Sequence, residues 1–110
     1  MAQDFESNGK RITNSATTIY TSNSDDAIVG LRFANILTTT DTLDVLITDA
    51  GDSDNVRYLV KGVSVPPASS IELIQGSSKV VIQNGDVVKA QSGTANGFDC
   101  WISIVDAISS

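Results

Sequence analysis

The 110-residue chain contains no histidine and a single cysteine, Cys100. Without histidine, neither the Ser-His-Asp and Cys-His catalytic arrangements nor the commonest zinc ligand sets can form. One cysteine cannot close an intramolecular disulfide, which excludes the disulfide-stapled secreted class and fits synthesis in a reducing compartment. These absences favour a protein that is not an enzyme, and we expect no metal, cofactor or small-molecule substrate.

Basic residues and long apolar runs are also scarce. Seven Lys and Arg stand against 13 Asp and Glu, a net charge of −6, so we expect no nucleic-acid partner. The run at residues 43–47 is interrupted by Asp44 and is far shorter than the ~20 residues that span a bilayer, so we expect no membrane partner. Residues 1–6 lack the basic and apolar regions of a signal peptide.

What the chain has in abundance is β-branched residues, with 11 Val and 11 Ile, and turn-forming polar residues. Apolar residues alternate with polar ones, and no convincing helical stripe occurs. The pattern predicts a single all-β domain, a β-sandwich or jelly-roll-like fold of about eight antiparallel strands. The predicted strands cover residues 17–21, 27–36, 43–48, 56–60, 71–74, 79–83, 86–91 and 98–105.

The links between these strands carry their own predictions. Residues 49–55 are read as a hairpin loop, and Pro66-Pro67 as a corner or sheet edge, because proline cannot donate to a ladder. Asn84-Gly85 predicts a tight hairpin, since both turn positions tolerate positive φ. In the strand at 27–36, we expect Val29 to share a face with Leu31.

Residues 1–14 are polar, contain Asn8-Gly9 and show no alternation. We therefore expect an extended N-terminal arm over 1–14 and a β-sandwich domain over 15–110. The arm is either disordered or ordered on a neighbouring molecule.

Several acidic groups resemble sites, but simpler interpretations are favoured. The loop with Asp49, Asp52, Asp54 and Asn55 lacks the spacing of a helical calcium loop, so a solvated turn is preferred to a cation site. Asp25-Asp26 and the pair Asp41 and Asp44 lie at predicted turns and outward strand positions. There we expect them to be hydrated, without the shifted pKa that acid–base catalysis needs.

Two residues of the last strand point in opposite directions. Cys100 alternates with Phe98 and Ile102, which predicts a small buried hydrophobe. Trp101 lies on the other face, where it either packs within the sandwich or serves an interface. We take Phe5, Arg11 and Trp101 as the candidate interface residues.

Three segments carry a resemblance to a known family. They are YLVKGVSVPPASSIELIQGSSKVVIQNGDVVKAQSGTANGFDCWIS at residues 58–103, TTIYTSNSDDAIVGLRFANI at 17–36, and the opening MAQDF. The chain resembles small β-sandwich virion structural proteins of tailed phages, in particular those of contractile-tailed phages of marine cyanobacteria. The resemblance spans roughly residues 1–108 and brings no catalytic residues with it.

The resemblance implies a non-enzymatic virion structural protein, assembled in the host cytoplasm, that decorates or completes the capsid, neck or tail. Its partners would be other virion structural proteins, and we expect it to be homo-oligomeric. The alternative is a glycan- or receptor-binding module on the virion, with Trp101 or Tyr58 as a stacking platform.

The arm yields a first test. If residues 1–14 tie the subunit into the virion, their deletion abolishes incorporation and leaves the fold intact. Incorporation is measured by the copy number of the chain in purified particles, with the circular dichroism spectrum of the truncated chain as the control. Normal incorporation would contradict the tethering hypothesis.

Overall fold

Two antiparallel β-sheets pack face to face in the computed structural model, which describes residues 4–74 and 80–106. The described residues form nine strands and one turn of 3-10 helix at Ala50–Asp52, with no α-helix. The predicted all-β sandwich is confirmed. The strands are β1 (Asp4–Ile12), β2 (Thr17–Thr21), β3 (Asp26–Asn35), β4 (Asp41–Asp49), β5 (Asn55–Val65), β6 (Ser70–Ile74), β7 (Val80–Ile82), β8 (Val87–Ser92) and β9 (Phe98–Asp106).

The chain crosses repeatedly between the two sheets, as in a jelly roll. The five-stranded sheet has the order β1-β9-β3-β6, and β7 also pairs with β3. The four-stranded sheet has the order β2-β8-β4-β5. Among the strands described, only β4 and β5 are neighbours both in sequence and within a sheet, and they form the hairpin predicted around residues 49–55.

The core lies between the sheets, where alternate side chains of each strand meet. β8 and β9 show this most clearly, because every second residue along each is buried. Burial of each large apolar side chain contributes roughly 1.5–3 kcal/mol. The largest fully buried apolar side chains are Phe33, Phe98, Ile12, Ile28, Leu31, Leu43, Ile82, Ile102 and Ile104.

Most predicted strands agree with the structure to within two residues at each end. The exception is β5, which continues beyond the predicted strand at 56–60 as far as Val65 and so has eleven residues. Gly62, at φ +68°, allows this continuity: its N–H donates to Asp44 Oδ1 at 2.6 Å where the register shifts against β4. Lys79, the start of one predicted strand, lies outside the described residues.

Residues 4–12 are not the disordered or neighbour-bound arm that was expected over 1–14, because they form β1. Residues 1–3 of that arm lie outside the described residues. β1 pairs with β9 along its whole length, and Ile12 is fully buried in the core. Asn8 also donates its side-chain amide to the backbone oxygen of Ile19 in the other sheet, at 2.8 Å. β1 lies at the edge of its sheet and is held there by backbone pairing with β9. Only Ile12 of this strand enters the core, so the sequence of β1 shows no alternation of apolar and polar residues.

The turn at Asn84-Gly85 is present, but the predicted hairpin is wrong. β7 pairs with β3 in one sheet, whereas β8 pairs with β2 and β4 in the other. Gly85 adopts φ +93°, and the Asp86 N–H donates to the Gln83 oxygen at 2.9 Å. Both Gly85 and Asp86 then bond the backbone of Ser22, at 2.8 Å each, so the turn crosses between sheets instead of returning within one.

The expected alternation in β3 is also corrected. A register shift between Ile28 and Gly30 marks a bulge at Val29. After the bulge, Leu31 and Phe33 face the core. Before it, the core-facing residue is Ile28, which is fully buried. Val29 is only half-buried.

Two substitutions within β1 test its structural role. Ile12→Ala should lower the free energy of unfolding by about 2–4 kcal/mol, because it removes a fully buried side chain. Phe5→Ala, on the same strand but 85% exposed, should change it by less than ~0.5 kcal/mol. Urea denaturation measures both, and equal effects would contradict the burial of Ile12 in the core.

Candidate interface on the five-stranded sheet

The outward side chains of β1, β9, β3, β6 and β7 form one continuous surface, here called the outer face. Strand register orders it into rows across the sheet. From β1 through β9 to β3 the rows are Arg11–Asp99–Ala34, Gly9–Trp101–Arg32, Ser7–Ser103–Gly30 and Phe5–Val105–Ala27. β6 adds Glu72 beside Arg32, and β7 adds Val81 beside Ala27.

Three large apolar side chains stand exposed on this face. Phe5 is 85% exposed, Val81 59% and Trp101 55%. The outward orientation of Trp101 is the one that its alternation with Cys100 predicts. An exposed aromatic side chain in a sheet is typical of contact surfaces, because it offers a large apolar area at low entropic cost.

Trp101 packs directly against the backbone of Gly9. A Cβ built on Gly9 would lie 2.9 Å from both Cε3 and Cζ3 of the indole ring. Gly9 is therefore the residue that lets the ring lie over the edge strand, an aromatic–glycine pair across two strands. The contact with Gly9 holds the Cε3–Cζ3 edge of the indole ring, while the rest of the side chain stays largely exposed.

Two surface ion pairs flank Trp101. Arg11 forms a two-point contact with Asp99 through Nε and Nη2, and this hydrogen bond, together with the charge of Asp99, raises the pKa of Arg11. Arg32 Nε lies 3.6 Å from Glu72 Oε1. All four side chains are largely exposed, so the pairs orient charge on the outer face more than they stabilise the fold.

The structure thus places all three predicted interface residues, Phe5, Arg11 and Trp101, on one face. Sequence reasoning missed Gly9, Arg32, Glu72 and Val81, which join the same face only through the pairing of distant strands. The one available signal was Arg32, the single charged residue of the predicted strand at 27–36.

Cys100 points away from the outer face. It is buried among core residues, as predicted, and burial raises the pKa of its thiol to about 12. A thiol so protonated and so enclosed is neither nucleophile nor ready partner for a disulfide.

The expectation that Asp25 and Asp26 are hydrated is wrong for Asp26, which is fully buried. Its carboxylate accepts hydrogen bonds from the hydroxyls of Tyr20 at 2.8 Å, Ser22 at 2.8 Å and Ser24 at 2.6 Å. Burial first, and then the bond to Asp26, raises the pKa of Tyr20. The serine-rich turn before β3 suggested that Asp26 is exposed, but the hydroxyls of this turn donate the hydrogen bonds that allow its carboxylate to be buried.

Asp41 likewise differs from the expected outward position, being only 7% exposed. It accepts from the backbone N–H groups of Thr42 at 2.9 Å and Thr94 at 3.2 Å, so it holds the loop at residues 93–97 against β4. A Cβ on Gly97 would lie 2.5 Å from its Oδ2. Asp41 is therefore a structural cap.

The acidic loop after β4 forms a hydrogen-bonded turn. Asp49 accepts from the Gly51 N–H at 3.1 Å, and Asp52 from Arg57 Nη2 at 2.6 Å. Across residues 4–74 and 80–106, no group of three or more acidic or cysteine side chains is arranged to hold a metal ion. In the same part of the chain no helix is long and apolar enough to cross a membrane.

Comparison with solved structures finds the same fold in two assemblies. A chain from the study "Bacillus endospore appendages form a novel family of disulfide-linked pili" superposes with a TM-score of 0.54 at 19% identity, over 98% of this chain and 88% of that one. A chain of the T13 IBDV viral particle superposes with a TM-score of 0.58 at 9% identity. The match covers 96% of this chain but only 31% of the viral one. No family model and no curated sequence matches. At these identities the likeness shows the fold alone.

The contact between Gly9 and Trp101 can be tested through the fluorescence of the single tryptophan. Gly9→Ala should displace the indole ring and shift its emission maximum, because the added methyl would stand within 3 Å of the ring. Ser7→Ala, on the same face of β1, is the matched control and should leave the emission unchanged. Identical spectra for Gly9→Ala and the parent chain would contradict the contact.

Proposed function

We propose that the chain is a non-enzymatic structural subunit of a tailed-phage virion that assembles with other virion proteins through its outer face. The observation that carries this proposal is the exposure of Phe5, Val81 and Trp101 on one sheet surface. The cost of leaving these side chains in water is recovered when a partner covers them.

Two further observations support the proposal. The similar folds come from chains described as belonging to pili and to a viral particle. The motif resemblance of residues 17–36 and 58–103 is what points to a tailed phage. Because Cys100 is buried, assembly of this chain would be non-covalent, unlike that of the pili described as disulfide-linked.

Charge favours a position on the outside of the particle. A subunit with a net charge of −6 is repelled by packaged DNA, so the capsid surface, the neck and the tail are the positions that fit.

The exposed indole of Trp101 also favours the alternative of a glycan- or receptor-binding module, because an open aromatic face stacks on sugars. Tyr58 suits this role less well, since Lys61 Nζ lies 4.4 Å from its ring centroid and occupies one face. Binding to a glycan array that is lost in Trp101→Ala would favour this alternative over the assembly role.

The proposal is tested by adding the full-length chain to purified particles that lack it and measuring co-sedimentation. Phe5→Ser and Trp101→Ala should each reduce binding about tenfold or more, because both remove exposed apolar contact area. Tyr58→Ala, an exposed aromatic residue of the other sheet, is the control and should bind normally. Undiminished binding by both outer-face variants would contradict the proposal.

The substitutions serve this test better than deletion of residues 1–14. Deletion removes β1 from its sheet together with the buried Ile12. A truncated chain would therefore lose incorporation through instability alone.

A further inference from the structure

We propose that the outer face binds the outer face of a second copy of this chain, related by a two-fold axis. This inference rests on the proposed function, because it uses the same surface, and it names the partner that covers it. Three properties of the face favour a second copy: its charge, the shape of its surface and its area.

The first property is charge. Within residues 4–74 and 80–106, the charged side chains placed on the outer face are two cations, Arg11 and Arg32, and two anions, Asp99 and Glu72, whose charges cancel. The net charge of −6 therefore belongs to the rest of the chain. Two copies repel each other when other surfaces approach, but they meet without like-charge repulsion through this face.

The second property is the shape of the surface. Between the projecting side chains, the face consists of small residues that let another sheet approach closely. A two-fold axis makes the contact self-complementary, and the small residues leave room on each copy for projecting side chains of the other. The small residues are Ser7, Gly30, Ala34, Ser70 and Ser103, whereas Gly9 lies beneath the Trp101 ring of its own chain.

The third property is area. β1, β9 and β3 are nine or ten residues long, and β6 and β7 share the fourth position beside β3. At ~3.3 Å per residue and ~4.8 Å between strands, the face measures roughly 30 by 19 Å. Two such faces bury about 1,100 Å², just above the ~1,000 Å² expected of a specific contact.

Charge reversal provides the principal test. Arg32→Glu gives the face a charge of −2, so the dissociation constant of the dimer should rise about tenfold or more in sedimentation equilibrium of the full chain. The double variant Arg32→Glu/Glu72→Arg restores neutrality with the pair reversed and should recover dimerisation. Arg57→Glu makes the same charge change on β5 of the other sheet and is the matched control. Thermal unfolding of each variant confirms that it folds.

Cross-linking provides an independent measurement. Cys100 is buried, so a single engineered thiol reacts without background from the parent chain. Ser103→Cys places that thiol in the middle of the outer face and should give a covalent dimer with a short bis-maleimide. Ser64→Cys, on β5 of the other sheet, should not.

The outcomes separate this inference from the proposed function. A chain that stays monomeric at all concentrations overturns the inference. If Trp101→Ala nevertheless reduces particle binding about tenfold or more, a virion protein other than this chain covers the face, and the proposed function stands. A dimer that responds to Arg32→Glu but never binds particles supports the inference and contradicts the proposed function. A dimer that is indifferent to Arg32→Glu and gives no Ser103→Cys cross-link forms through another surface and overturns the inference.

Discussion

Alternation along β9 determines both surfaces of the five-stranded sheet. β9 pairs with β1 on one side and β3 on the other, so its register is held along both edges. Every second residue from Phe98 to Ile104 enters the core, and the residues between, Trp101 among them, form the centre of the outer face. A slip of the β9 register by one residue would place Trp101 and Asp99 in the core. The same register therefore determines both the packing of the core and the exposure of Trp101.

Two buried carboxylates complete the framework that β9 organises. Asp26 accepts hydrogen bonds from three hydroxyl groups and Asp41 from backbone N–H groups, so each buried carboxylate is hydrogen-bonded. Each thereby anchors a loop to the start of a strand. The acidity of the chain is therefore partly structural, and partly a property of exposed turns such as the one around Asp52.

The sequence predicted strands well wherever a strand buries one face, because period-two alternation reports burial directly. It could not reveal β1, an edge strand placed by backbone pairing, nor the bulge at Val29, which depends on β9 as the partner. The turn at Asn84-Gly85 was read correctly as a turn, but its strands belong to different sheets, which only the tertiary pairing decides. For the same reason Trp101 could be predicted as outward, whereas its contact with Gly9 could not.

If the chain is a virion subunit, as proposed, a cryo-EM map of the intact virion is the most direct test of the claim that the outer face is an assembly surface. The map should show Trp101 and Phe5 buried against a neighbouring subunit, with the turn around Asp52 in solvent. A map in which Trp101 faces solvent in every copy of the chain would contradict the claim.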